Sequence, residues 1–181
     1  VNDAVSTSGS SYSLTTGLDQ LTGNGSFNAA DIAGASTWTS GDSIVASGLN
    51  NSLNVSTGNA VVNPSGSVVT GVQTANITSG VTIGAASPLD TTAWTGLTSL
   101  TLTSPSTINV KAAATTTVNV IDSTLGASEI TVNGGSNVTV TDTSTSTGTV
   151  TIGSATTAPA GTVTVNHTVA ATGTQAGGAI N

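Results

Sequence analysis

"ITVNGGSNVTV", Ile130 to Val140, reads apolar, polar, apolar, then Asn-Gly-Gly-Ser-Asn, then apolar, polar, apolar again. Successive side chains of an extended chain point to opposite faces, so each triplet predicts a strand that buries one face. The Gly134-Gly135 pair between them is a turn signal, either a hairpin or the corner of a coil. It joins two strands and opens no helix, which removes it as a phosphate cradle.

The same triplet recurs along the chain as Val81-Thr82-Ile83, Leu100-Thr101-Leu102, Ile108-Asn109-Val110, Val118-Asn119-Val120, Val150-Thr151-Ile152 and Val163-Thr164-Val165. Single steps between triplets are uneven, but Ile108, Ile130 and Val150 lie 22 and 20 residues apart. Turn signals fill the gaps at Gly126-Ala127, Gly148 and Ala158-Pro159-Ala160-Gly161. Short strands at such spacing build an all-β fold, either a β-sandwich or a β-solenoid. A sandwich interior is filled by interdigitating side chains from two sheets about 10 Å apart. Here only Tyr12, Phe27, Trp38 and Trp94 are aromatic. A solenoid needs only Val, Ile, Leu, Ala and Thr stacked coil on coil. The reading is therefore a β-solenoid of about 20 residues per coil, with the β-sandwich as the alternative.

Composition bounds the chemistry. The 181 residues are 36% hydrophobic and 5% charged, and the wealth of β-branched residues argues against disorder. Eight acids face a single cation, Lys111, for a formal charge of −7. Nucleic acid needs cations against its phosphates, so it is excluded as a partner. No apolar run approaches the roughly 18 residues of a membrane helix, so no membrane insertion is expected. With no cysteine there is no disulfide framework or thiol chemistry, which suits an extracellular bacterial protein. A chain that starts at Val1 without Met is read as a processed chain or a fragment of a longer protein. Its organisation is predicted as a Ser-rich approach segment (1–12), a lead-in and cap region (13–56) and a solenoid body (57–181), in one continuous domain. In the cap region Phe27 and Trp38 are placed to cover the open end of the stack, because terminal repeats are atypical.

Leu14 to Gly23, "LTTGLDQLTG", resembles the opening of the calcium-dependent S-layer proteins of Gram-negative bacteria, the Caulobacter-type surface-layer family related to RTX proteins. That family shows a Leu-Thr-Thr-Gly-x-Asp-x-Leu-Thr-Gly phrase, then Asp-Thr-Phe, then Gly-Asp before an apolar pair. "SFNAADIAGASTWTSGDSI" echoes the second part, and Gly71 to Thr78 is similar to the family's Gly-Ile-Glu-Thr-x-Asn-Val-Thr phrase. The likeness runs from about Ser13 to Ala170. Two acids depart from it: Gly25-Ser26 replaces Asp-Thr, and Gln73 replaces the Glu. The RTX nonapeptide Gly-Gly-x-Gly-x-Asp is absent.

The resemblance implies a structural component of a bacterial surface layer, secreted and assembled as a calcium-stabilised lattice on the cell surface. Self-assembly and a cell-surface polysaccharide are the implied partners. Calcium takes six to eight oxygens. Asp19 and Asp42 match the family's phrases directly, while Asn24 and Asp31 join them as metal ligands on spacing among Gly-bearing turns. Asp90, Asp122, Glu129 and Asp142 are read as turn or solubilising residues. An adhesin or matrix filament on the same solenoid is the alternative function.

Enzyme readings find little support in the sequence. His167 is the only histidine, has no identifiable Asp partner in the sequence, and falls on the face of Val165 and Val169 by strict alternation. No Gly-x-Ser-x-Gly elbow occurs. A glycan-active solenoid needs a carboxylate pair or a basic residue in a groove, and one Lys with scattered Asp offers neither. No catalytic residue is assigned.

Overall fold

A computed structural model describes residues 9–123, 128–143 and 148–167. In chain order its strands are β1 (Ser10–Ser13), β2 (Gln20–Gly23), β3 (Gly25–Ala30), β4 (Ser43–Ala46), β5 (Ser52–Thr57), β6 (Val68–Thr70), β7 (Thr74–Ser79) and β8 (Leu89–Asp90). They continue as β9 (Ser99–Ser104), β10 (Ile108–Ala112), β11 (Thr117–Asp122), β12 (Ile130–Gly134), β13 (Val138–Asp142), β14 (Val150–Ile152) and β15 (Val163–His167). The odd-numbered strands form one eight-stranded sheet in sequence order. A second sheet holds β8, β10, β12 and β14, and a third holds β2, β4 and β6.

Neighbouring strands pair in parallel, one coil apart, as a β-solenoid of about six turns with about 22 residues each. β12 and β13 are consecutive in the chain yet belong to different sheets, so Gly134-Gly135 is a coil corner and not a hairpin. Both glycines have positive φ, +78° and +88°. A side chain on Gly134 would run into the Ala112 carbonyl of the coil below. Their N–H groups bond across coils, Gly134 to Thr157 O at 3.0 Å and Gly135 to Ala112 O at 3.2 Å. Corner and strand are thereby satisfied by the same stacking.

The core is a set of like-on-like ladders. Phe27, Leu53, Ala75, Leu100, Val118 and Val138 share one register position, and Ala29, Val55, Ile77, Leu102, Val120 and Val140 the next inward one. Opposite them Val61, Ile83, Ile108, Ile130 and Val150 stack through the second sheet and its isolated bridges. All are buried. Each Val, Leu, Ile or Phe among them contributes on the order of 1.5–3 kcal/mol by leaving water, and slim residues suffice because each packs against its counterpart above and below. This is why an aromatic-poor chain builds a core.

Coil length is uneven for a structural reason. Ser26 pairs with Ser52, Ser52 with Thr74 and Thr74 with Ser99, steps of 26, 22 and 25. These coils have three sides, the third being β2, β4 and β6, extended by the Thr70–Thr95 bridge. From Ser99 to Thr117 and from Val118 to Val138 the steps are 18 and 20. Among the described residues no third-sheet strand pairs there, and the last step, Val138 to Val163, lengthens again to 25. The predicted strand Val81–Ile83 is reduced to a bridge at Ile83, with Val81 exposed at a corner. Gly126-Ala127 lies outside the described residues.

The cap differs from expectation. Phe27 is the second member of its ladder, and Tyr12 of β1 stacks on it at 4.8 Å between ring centroids, with planes 10° apart. That separation is one strand spacing. Trp38 sits instead on the side wall, edge-on to Trp94 at 5.6 Å. The predicted boundaries at 12/13 and 56/57 fall inside β1 and β5, so approach segment, lead-in region and body share one stack.

Candidate functional site

The first acids stand at one corner of the N-terminal coils. Asp19 precedes β2 and Asp42 precedes β4, and the pairing of Gln20 with Ser43 sets them one above the other. Asp42 Oδ1 accepts the Asp19 N–H at 2.9 Å, and Oδ2 accepts the Thr39 N–H at 2.6 Å. Asp19 Oδ2 in turn accepts the Thr15 N–H at 2.7 Å. Each carboxylate ties down the turn before its strand, the capping role for which short acids are suited. Asp42 is fully buried and Asp19 nearly so, which these N–H partners make tolerable.

Asn24 and Asp31 stand elsewhere. Asn24 lies between β2 and β3, with its side-chain amide packed under Gly48. Asp31 follows β3, and its Oδ2 accepts the Gly58 N–H at 2.8 Å while Oδ1 is buried without a hydrogen bond. Among the described residues no three His, Cys, Asp or Glu side chains gather as a metal-holding group. Of the four expected ligands, the fold brings Asp19 and Asp42 together, with N–H donors on their oxygens. This donor set does not fit a cage of six to eight open oxygens.

The larger constellation is one that sequence reasoning missed. The inward position at the end of each strand of the eight-stranded sheet from β5 onward carries Thr57, Ser79, Ser104, Asp122, Asp142 and His167 in successive coils. The first five are buried polar groups. Ser79 Oγ accepts the Val81 N–H at 3.1 Å and donates to Asn59 O of the neighbouring coil at 2.7 Å. Ser104 repeats this with the Ser106 N–H and Val81 O. At Ser79 and Ser104 the column thus closes the corner and pins it to the coil beside it. Asp122 and Asp142 are therefore not solubilising surface charges but 1% exposed members of the column. His167 does have an Asp partner: its Nδ1 lies 2.7 Å from Asp142 Oδ2, across the β13–β15 pairing. The signal was present in Val118-x-Val120-x-Asp122, Val138-x-Val140-x-Asp142 and Val163-x-Val165-x-His167, where the inward alternation simply continues two residues further. Val169 lies outside the described residues.

Lys111 and Asp90 face each other in register on β10 and β8, Nζ to Oδ2 at 3.2 Å. Partial burial pushes the Asp90 carboxyl up, but bonds from the Thr92 hydroxyl and N–H, together with Lys111, outweigh it and hold the group below its usual range. Both side chains are 43% exposed, so Lys111→Ala should cost no more than about 1 kcal/mol at neutral pH. Because the folded-state pKa is depressed, Asp90's contribution is present above the unfolded value of about 3.9 and is lost as pH falls through the folded one. Urea unfolding of wild type and variant should differ at pH 7 and converge well below pH ~3.9. A gap that widens in acid would contradict the pairing.

Two shallow clefts, of about 270 and 220 Å³, meet at Pro64 beside Trp38 and Trp94. Their only titratable lining residue is Asp90, already engaged by Lys111. Neither brings together a nucleophile with a base, or two carboxylates. No family model matches the chain, and no curated protein matches it.

Proposed function

We propose that this chain is a structural component of a bacterial surface layer, secreted and assembled into a two-dimensional lattice outside the cell. The observation that carries the reading is where its reactive groups go. Four of the eight acids, Asp19, Asp42, Asp122 and Asp142, are buried at coil corners, and the sole histidine pairs with one of them. The titratable chemistry is spent on holding the stack together, leaving broad Ser/Thr/Asn surfaces and no assembled catalytic group among the described residues. Such a rigid, repetitive body suits lattice construction.

Calcium belongs to this reading through charge balance and not through a cage in the core. A chain of formal charge −7 with one lysine must crowd against copies of itself in a lattice, and a divalent counter-ion relieves that repulsion. The test is negative-stain imaging of the purified chain in chelator and in ~5 mM calcium, above the weak extracellular range of ~10⁻⁴–10⁻³ M. The expected result is a planar lattice that chelator dissolves, with the melting temperature little changed because the Asp19 and Asp42 carboxylates already hold N–H donors. Isolated fibres would favour the filament alternative. Dispersed single particles in both conditions would refute the lattice.

A further inference from the structure

We propose that the outward face of the eight-stranded sheet is where two copies of this chain meet. The inference rests on the assembly reading and names one of its contacts. Three columns of side chains point outward from this sheet. The first runs Ser26, Ser52, Thr74, Ser99, Thr117; the middle one Asn28, Asn54, Asn76, Thr101, Asn119, Thr139; the third Ser56, Thr78, Thr103, Ile121, Thr141. No charged residue occurs in any of them.

That absence stands out in a molecule of formal charge −7. The second sheet carries Lys111 and Asp90 outward, Glu129 marks another corner, and Asp31 lies past the end of β3 at the sheet's edge, outside the three columns and bonded by the Gly58 N–H. The eight-stranded sheet is the broad face on which two acidic copies approach without opposing carboxylates. Its rows are also pre-ordered: Asn76 Nδ2 donates to Asn54 Oδ1 at 2.9 Å, Asn54 Nδ2 to Asn28 Oδ1 at 3.0 Å, and Ser52 Oγ to Ser26 Oγ at 3.0 Å. Side chains held in such ladders lose little rotamer freedom on contact, and stacked Asn rows pack sheet against sheet.

Eight strands spaced about 4.8 Å apart give a face about 34 Å long and about 13 Å between its outer columns. This footprint of several hundred Å² falls short of the roughly 800 Å² per partner of a standard interface. The pair is accordingly weak alone and is reinforced when many copies are held together. A two-fold axis lying in the plane of the contact turns one face onto the other and makes the contact self-complementary.

The chain has no cysteine of its own, so single-cysteine variants are clean probes. Asn54→Cys, Thr101→Cys and Thr139→Cys sample the middle column, and Glu129→Cys is the exposed corner control. Concentrated protein is treated with a short bis-maleimide and resolved by mass. Face variants should shift largely to twice the chain mass, and the control should not. The double variant Thr101→Lys/Asn119→Lys should keep the wild-type circular dichroism and lose assembly. A lattice that forms unchanged with that double variant, or face cysteines that link no better than the control, overturns the inference and leaves the lattice standing. Cross-linked face variants from a wild type that forms no lattice would support the pairing and refute the lattice. If the double variant fails to fold, the cross-linking yields of the face cysteines against the control decide between support and refutation.

Discussion

Leu102→Asp should leave the chain without a cooperative unfolding transition, while Thr103→Asp, one residue along, should fold as wild type. Leu102 is fully buried in β9, stacked between Ile77 and Val120. Truncating such a side chain costs about 2–5 kcal/mol, and an unpaired buried charge adds several more. Together these approach the whole stability of an ordinary domain, about 5–15 kcal/mol. The middle coils also have no alternative contacts, since each coil touches only its neighbours and a break there separates the stack into halves. Thr103 points outward between Thr78 and Ile121, with no charge beside it to repel a new carboxylate. Its substitution belongs to the surface class, within about 0.5 kcal/mol. Far-UV circular dichroism and urea titration of both variants provide the comparison. Equal losses would mean that the inside and outside of the sheet are assigned the wrong way round.

The alternation that orders Leu102 and Thr103 is readable directly from the sequence, and so was the solenoid. Each triplet from Leu100 onward lies in a strand, from Leu100–Leu102 in β9 to Val163–Val165 in β15. What the sequence hid has two physical causes. First, the third sheet appears only in the N-terminal coils, where the four-residue strands Gln20–Gly23 and Ser43–Ala46 each bury one large apolar side chain, Leu21 or Ile44, too short a run to show the pattern. That made a coil of about 22 residues hard to see before Leu100. Second, acidic residues suggest solvent, yet in a parallel stack the corner is an interior place with N–H groups to satisfy. Asp42 answers that need, and Asp122 and Asp142 are buried at the same kind of position, Asp142 beside His167. Reading them as surface or metal residues followed their charge and ignored their phase within the alternation. The pairing of His167 with Asp142 was missed for the same reason: each continues the inward alternation of its strand, and the two are 25 residues apart in sequence but one strand apart in space.

The same logic of corners gives the second large effect: Asn51→Ala should cost about 3–4 kcal/mol, since it removes several buried hydrogen bonds and orphans their partners. Asn51 is 1% exposed, at the turn into β5. Its Oδ1 accepts the Gly25 N–H of the preceding coil at 2.7 Å. Its Nδ2 donates to Ser47 O and Gly48 O within its own corner and to Gly71 O of the following coil, at 3.1, 3.3 and 3.1 Å. One side chain therefore ties three coils, and alanine leaves a buried N–H with nothing to meet it. Asn51→Asp separates the two halves of this role. It keeps an acceptor for Gly25 but turns a carboxylate oxygen toward three carbonyls. Burial among carbonyl oxygens raises the folded-state pKa of that new acid above its unfolded value. A group with a raised pKa binds its proton more tightly when folded, so the Asp variant should gain stability as pH falls through the raised pKa toward the unfolded value, near 3.9. The Ala variant carries no such group, so its deficit relative to wild type should stay flat over the same interval. Urea midpoints at pH 7 and pH ~4.5, just above the ordinary carboxylate range, give the comparison. A loss below ~1 kcal/mol for alanine, no more than one ordinary hydrogen bond, would show that Asn51 does not bind the coils together. An Asp variant that weakens on acidification would put its side chain outside the carbonyl cluster.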